Sequence, residues 1–388
     1  MPSLMNRRNW LKTSSMVTGG LTFLSGSLSG LAASAAPATK SIKMLSDAEF
    51  EKGTQPQLKA RLFANENPFG PSEKAKQAII GALGTSYQYA FRDVQAMEDK
   101  ITEYEGLQKG MVLMASGSSP ILMAAAMYFC KAGDSVITGN PSYADLPERA
   151  EGFGAKVVKV PLTSDYKLDL EAMEKAIDST TKLIYICNPN NPTATIVDTA
   201  KLKDFCERVS KRVTVFIDEA YIDYLPDPQA TTLIENVKKG QNIIVARTFS
   251  KLYGFAGLRI GYMIAQPEMV KKLDPYCAGS MGISATSIAA ALASYQDKEF
   301  LQGALKKTLA SKEFLYNTLK QEGYEYIPSS ANFVMFPIKM DGKRFTDEMM
   351  KRGVGVRNWQ FNNNQWCRVS IGRMDEMQAF ATAFKELS

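Results

Sequence analysis

Histidine is absent from all 388 residues. Its absence excludes a Ser-His-Asp triad, a Cys-His pair, a zinc site built on imidazole and a haem held by histidine. Acid–base chemistry must then fall to Lys, Tyr, Asp, Glu, Cys or a cofactor. Paired cysteines are missing too. Cys130, Cys187, Cys206, Cys277 and Cys367 are odd in number and show no Cys-x-x-Cys spacing. Neither a disulfide framework nor a thiolate metal cluster is expected, and no metal site is assigned. Most of these cysteines stand in apolar runs and read as small buried hydrophobes. Dense blocks of one charge are also lacking. The 46 basic residues are scattered among 40 acidic ones, which argues against nucleic acid as a partner.

What is present is an ordinary globular chain. Apolar residues make up 45% and charged ones 22%, so a mostly disordered protein is excluded. The length exceeds one small core and suits about two or three domains.

The first residues read separately. Arg7 and Arg8 are followed by Asn9, Trp10, Leu11 and Lys12, then by a mild apolar stretch over 16–31 broken by glycines. Ala33-Ser34-Ala35-Ala36 offers a small-residue cleavage site, and no acidic residue precedes Asp47. This order resembles a twin-arginine (Tat) export signal, cut after Ala35 or Ala36. The stretch is too short and interrupted for a stable membrane anchor. The resemblance implies passage through the twin-arginine translocon to the periplasm or outside. Residues 1–36 are therefore set apart from the fold.

Helical and strand-like segments alternate along the rest. Helical spacing is read at 73–83, 94–104, 121–130, 169–177, 199–210 and 230–237. Short β-rich runs occupy 135–138, 156–160, 183–187, 213–218 and 242–246. That alternation predicts an α/β fold, a mostly parallel sheet covered by helices on both faces. Past about residue 285 a long helix over 300–321, strands near 325–327, 332–336 and 367–371, and a final helix over 375–387 predict a smaller α+β domain.

Four motifs could carry chemistry. Ser116-Gly117-Ser118-Ser119-Pro120 is a glycine turn feeding a helix with proline at its first position. Free N–H groups there can take a phosphate, though many such turns only cap helices. Asn188-Pro189-Asn190-Asn191-Pro192-Thr193-Ala194 is a rigid turn at the carboxyl end of a strand, the edge where ligands sit in open sheets. Val215-Phe216-Ile217-Asp218 ends a buried strand in a carboxylate, with Tyr221 three residues on. Such a carboxylate needs a partner: a protonated ring nitrogen, a metal or an arginine. Thr248-Phe249-Ser250-Lys251 sets a lysine at another strand end, with Arg259 eight residues later. That lysine reads either as a Schiff-base nucleophile or as a solvated surface charge.

In this fixed order the motifs resemble the fold-type I pyridoxal-phosphate (PLP) aminotransferases, and within them the histidinol-phosphate aminotransferase group. The resemblance runs from about residue 60 to the C terminus. It includes Asn65-Glu66-Asn67-Pro68, the Asn188–Ala194 turn, Asp218–Tyr221, Lys251 with Gly257–Tyr262, and Arg368–Gly372. It implies the PLP-transferase fold, with an arm over 37–75 joining the small domain, a large PLP-binding domain over 76–285 and a small domain over 286–388. It implies a transaminase moving an amino group between an amino acid, or a histidinol-phosphate-like amine, and a 2-oxo acid in ping-pong order. The alternatives on the same motifs are a PLP lyase, decarboxylase, racemase or cyclase, or a PLP-binding protein without turnover.

The resemblance also assigns residues. Lys251 is the covalent anchor of PLP and Asp218 the partner of its pyridine nitrogen. Tyr221 and Asn191 bond the ring's phenolic oxygen. Ser118, Ser119, Ser250 and Arg259 hold the phosphate, with Thr248 beside them, and Tyr143 stacks on the ring. Tyr89 reaches the phosphate of a neighbouring subunit's cofactor, implying a homodimer. Arg368 clamps the substrate α-carboxylate, Asn65 lines the entrance, and Arg357 matches an arginine that can meet a side-chain anion.

The chain departs from the family at Ala194, where glycine is usual, at Tyr87-Gln88-Tyr89-Ala90 and at Arg373. Trp359 and the Asn362–Asn364 run are unlike the biosynthetic enzyme. Histidine synthesis is cytoplasmic, so an exported enzyme is expected to use another donor.

Overall fold

The computed structural model describes residues 58–388. The twin-arginine segment and residues 37–57 of the arm lie outside the described residues. Strands follow in chain order as β1 (Ala60–Arg61), β2 (Val112–Ala115), β3 (Ser135–Asn140), β4 (Lys156–Pro161), β5 (Thr181–Cys187), β6 (Thr214–Asp218), β7 (Ile243–Thr248) and β8 (Gly261–Ile264). The last seven form one sheet in the order β2-β8-β7-β6-β5-β3-β4. Its strands are parallel except β8, which runs antiparallel to β7 and β2.

Side-chain alternation explains why both faces are covered. Ile184, Ile186, Val215, Ile217, Ile243 and Val245 join one apolar cluster. Leu183, Tyr185, Cys187, Phe216, Ile244 and Ala246 join another. Neither face is polar, so each needs helices over it. Helices Phe91–Glu105, Thr199–Val209 and Ala285–Ser294 give buried residues to the first cluster. Helices Ser119–Phe129 and Asp145–Gly152 give theirs to the second.

A second, antiparallel sheet orders as β11-β12-β9, from β9 (Phe333–Ile338), β11 (Arg357–Phe361) and β12 (Asn364–Ser370). The short strand β10 (Val354–Gly355) pairs with β1. Helices Lys298–Gln321, Gly342–Lys351 and Met374–Lys385 cover this sheet through Leu315, Leu319, Phe345, Phe380 and Phe384. Among the described residues no helix is long and apolar enough to cross a membrane.

Some expected elements are corrected. The helix expected over 230–237 breaks into Pro228–Thr231 and Ile234–Lys238. Thr232 and Leu233 leave the helix to donate to the buried Glu219 carboxylate, through Oγ1 at 3.0 and 2.9 Å and N–H at 2.8 Å. A buried carboxylate outbids one helical turn for those donors. Glu219 and Glu105 also take Arg247, at 3.0 and 3.1 Å, in a buried cluster beneath the sheet edge. Pro120 is the second helical residue, after Ser119. The strand near 325–327 reduces to one bridge, Ile327 to Met335.

Candidate active site

Strands β2, β3, β5, β6 and β7 are parallel to one another, so their carboxyl ends share one edge of the sheet, and β8 begins there. A cavity of about 340 Å³ opens at that edge. The Ser118–Ser119 turn follows β2, Tyr143 follows β3, and Asn191 follows β5. Asp218 ends β6, with Tyr221 just beyond; Thr248 ends β7, with Ser250 and Lys251 after it; Arg259 precedes β8. All of these line the cavity, with Asn65, Arg357 and Arg368 opposite. Tyr89 does not. It is exposed in a separate recess with Ser86, Met281 and Thr286.

One end of the cavity is built for an anion. Gly117 has φ +94°, and a Cβ there would lie 2.4 Å from Nη2 of Arg259. A Cβ on Gly261 would lie 2.9 Å from the Ser118 nitrogen. Both glycines let the guanidinium and the start of helix Ser119–Phe129 close around one point. Arg259 Nη1 donates to Ser250 Oγ at 3.3 Å and to the Ala256 carbonyl at 3.0 Å. Thr248 Oγ1 donates to the same Ser250 oxygen at 2.9 Å. Arg259 has no carboxylate partner among the described residues, so its charge is free for a ligand.

The other end holds a buried carboxylate. Asp218 accepts from the Tyr185 hydroxyl at 2.8 Å and from the Ala220 N–H at 3.1 Å. Burial raises its pKa to about 6, against the pull of those donors and of Lys251. Lys251 Nζ lies 5.3 Å from the centre of the Tyr221 ring. Burial, and then the positive charge of Arg368, lower the lysine to about 8. An amine so placed is neutral for a useful fraction of the time near neutral pH, as a nucleophile must be. The Tyr221 hydroxyl accepts from Asn65 Nδ2 at 3.0 Å, and burial pushes its deprotonation far above the usual range.

Arg368 closes the opposite wall. It is buried, donating from Nη1 to Asn191 Oδ1 at 2.6 Å and from Nη2 to the Phe63 carbonyl at 2.9 Å. Its Nε has no hydrogen-bond partner among the described residues. The guanidinium lies 4.5 Å from the Trp359 ring centre and 5.2 Å from that of Phe333. Burial lowers its pKa to about 10. Arg357 stands directly across the β11–β12 ladder from Arg368 and has no carboxylate partner among the described residues.

These donors fit pyridoxal phosphate: a cradle a Cβ would fill for the phosphate, a buried carboxylate for the pyridine nitrogen, and an amine of lowered pKa for the aldehyde. Sequence reasoning missed Tyr185 and Cys187. Their spacing, two apart on one strand, puts them on one face, but only the β5–β6 register brings that face to Asp218. Ala194 has φ +59°. The left-handed conformation that glycine would adopt easily is therefore kept, with a methyl buried beside Tyr221, Leu252 and Phe333.

A family model described as aminotransferase class I and II matches residues 59–384. Histidinol-phosphate aminotransferase of Moorella thermoacetica is 31% identical over 347 residues, covering 89% of both chains. Histidinol-phosphate aminotransferase 1 of Cupriavidus pinatubonensis is 35% identical, covering 88% of this chain and 92% of that one. Among solved structures, histidinol-phosphate aminotransferase from Sinorhizobium meliloti in complex with pyridoxal-5'-phosphate superimposes with a TM-score of 0.81. It is 26% identical, over 92% of this chain and all of that one.

Proposed function

This chain belongs to the class I and II aminotransferases and is a PLP-dependent aminotransferase, and we propose that its donors are α-amino acids carrying a second anionic group. The observation behind this reading is the pair of arginines. Arg368 is buried with no carboxylate partner among the described residues and lines the cavity, where an α-carboxylate would answer its charge. Arg357, one strand across, offers a second positive charge to a side-chain carboxylate or phosphate. Histidinol phosphate, for which the relatives are named, carries a phosphate ester where an α-amino acid has its carboxylate, and its side chain bears no anion. It is the competing donor, and its phosphate would meet the arginines at the carboxylate position and leave no side-chain anion to pair.

Bound in this cavity, pyridoxal phosphate supplies an electron-withdrawing ring that makes the donor's α-proton removable. The chain's residues do the rest. Asp218 holds a proton at the ring nitrogen through its negative charge. Lys251 takes the proton from the α-carbon with its neutral amine. Arg368 fixes the carboxylate and so the orientation of the α-carbon, with Trp359 and Phe333 excluding water from its faces. Tyr221 and Asn191 would bond the phenolic oxygen, and Arg259, Ser118, Ser119 and Ser250 would hold the phosphate. The test is a screen of glutamate, aspartate, alanine and histidinol phosphate, followed by cofactor absorbance and release of the oxo acid. Turnover of alanine as fast as glutamate would remove the role given to Arg357.

We further propose that residues 1–36 direct export of the folded, loaded enzyme, and that it works as a homodimer. Arg7, Arg8 and the small-residue site support the first, as do five cysteines that are free and buried. A reporter fused to residues 1–40 and still exported after Arg7→Lys/Arg8→Lys would overturn it. Exposed Leu83, Tyr87, Tyr89, Phe91 and Met281 support the second. Light scattering on the purified protein tests it; a monomer would leave Tyr89 without its role.

A further inference from the structure

Deeper in the sheet than Asp218 lies a phenol to which the reaction assigns no task. Tyr185 stands on β5, two residues before Cys187, and Cys187 is the ladder partner of Asp218 on β6. Alternation turns Tyr185, Cys187, Phe216 and Asp218 to the same face. Tyr185 is fully buried beside Phe216, with ring centres 5.8 Å apart, and its hydroxyl donates to Asp218 Oδ2 at 2.8 Å. The other oxygen, Oδ1, takes the Ala220 N–H. Two donors on different elements therefore fix the plane of the carboxylate before any ligand arrives.

We propose that Tyr185 is a positioning residue that keeps Asp218 ionised and holds its carboxylate in the rotamer that meets the cofactor's ring nitrogen. This rests on the reading of Asp218 given above. The groups around Asp218 are Tyr185 and Cys187 from β5, Lys251 after β7, Tyr143 and Asp145 at the start of helix Asp145–Gly152, and Tyr221. Lys251 favours the charged carboxylate and Asp145 opposes it, while burial opposes it most. Among the described side chains, Tyr185 is the one giving Asp218 a direct hydrogen bond. Burial holds that phenol protonated far above the usual range, so it serves as a donor throughout the working pH. Without it, burial leaves Asp218 carrying its own proton near neutrality. A neutral carboxyl no longer draws a proton onto the ring nitrogen, and the electron sink weakens.

The test is an infrared titration of the Asp218 carboxylate in the apoprotein, with Asp218→Asn as the blank. Tyr185→Phe is expected to raise the midpoint by about one pH unit, a tenfold change in the ratio of ionised to protonated forms. A fluorinated tyrosine at 185, whose more acidic phenol donates more strongly, is expected to lower it. That second variant keeps the ring and the hydroxyl, so it reads the effect even if Tyr185→Phe fails to fold. In the loaded enzyme, Tyr185→Phe is expected to cut kcat about tenfold with the donor KM within twofold. An unmoved midpoint in both variants overturns the proposal and reduces Tyr185 to a space-filling ring. If instead Asp218→Asn leaves the 15N shift of the bound cofactor's ring nitrogen unchanged, the reading of Asp218 itself fails, and this proposal with it.

Discussion

Arg368 and Asn191 are 177 residues apart in the chain and joined by a 2.6 Å hydrogen bond, Nη1 to Oδ1. The bond ties the antiparallel sheet to the turn after β5. Each residue is thus oriented by the other, and both line the cavity. The Asn191 side-chain carbonyl steadies the arginine.

Replacing Arg368 by lysine removes the planar fork while keeping a cation. The donor KM is expected to rise about 30- to 100-fold, the equivalent of about 2–3 kcal/mol for lost charge-assisted bonds. Steady-state kinetics with an amino acid and with a carboxylate-free amine check this. Only the amino acid is expected to suffer, and equal losses on both would remove the carboxylate role.

Gly117→Ala places a methyl 2.4 Å from Nη2 of Arg259 and forces alanine to φ +94°. The guanidinium must withdraw from the anion cradle. Affinity of the apoprotein for pyridoxal phosphate is expected to fall about 10- to 100-fold, from roughly 1.5–3 kcal/mol of strain and lost contact. Fluorescence titration reads the change, and an unaltered affinity would place the phosphate elsewhere.

The lysine amine gives a pH dependence with a definite sign. Its folded pKa lies near 8, below the ordinary 10.5. It is charged and unreactive below that value and neutral above it. The rate at which the apoprotein attaches pyridoxal phosphate is expected to rise about tenfold per pH unit up to about 8 and then level off. Stopped-flow absorbance measures the rate, and borohydride followed by peptide mapping checks that residue 251 carries the adduct. A plateau reached only near 10 would mean an unperturbed amine.

Arg247→Met leaves Glu105 and Glu219 buried with no cation between them. The expected loss is about 3–5 kcal/mol of stability at neutral pH. Burial already raises the Glu105 carboxyl despite the arginine. Without Arg247 its folded pKa climbs further above the unfolded one. The missing stability therefore returns as pH falls and the carboxyl takes its proton. Urea midpoints at pH 7 and pH 5 check this; an equal deficit at both would show that the loss is packing and not charge.

The sheet and most of its edge were legible because the signals were local. Val215–Ile217 is an apolar β run, and a carboxylate at its end has few structural uses. Lys251 and Arg259 follow a strand at a fixed spacing. Tyr185 was not legible, since a tyrosine between Ile184 and Ile186 reads as core. Nor was the pairing of Arg368 with Asn191, which no local pattern encodes. Strand β8 is four residues long and antiparallel, so alternation of helices and strands could not announce it. Of the Asn362–Asn364 run, read as unlike the family, Asn362 and Asn363 form the turn of the β11–β12 hairpin and Asn364 opens β12. Asn362 and Asn363 take φ of +50° and +58° there, a conformation asparagine tolerates.

That reversed strand has a consequence for how this site can be transplanted. Thr248 and Gly261 are ladder partners, so the intervening chain leaves the sheet and re-enters it one strand away. Within this single excursion lie the amine of Lys251 and the guanidinium of Arg259, both lining the cavity. The two travel as one cassette whose ends are stitched to adjacent strands, and a graft of 248–261 into a related sheet would deliver both in register. Adding or deleting a residue inside it would pull one against the other, whereas the hairpin at 362–363 could absorb the same change at its free tip.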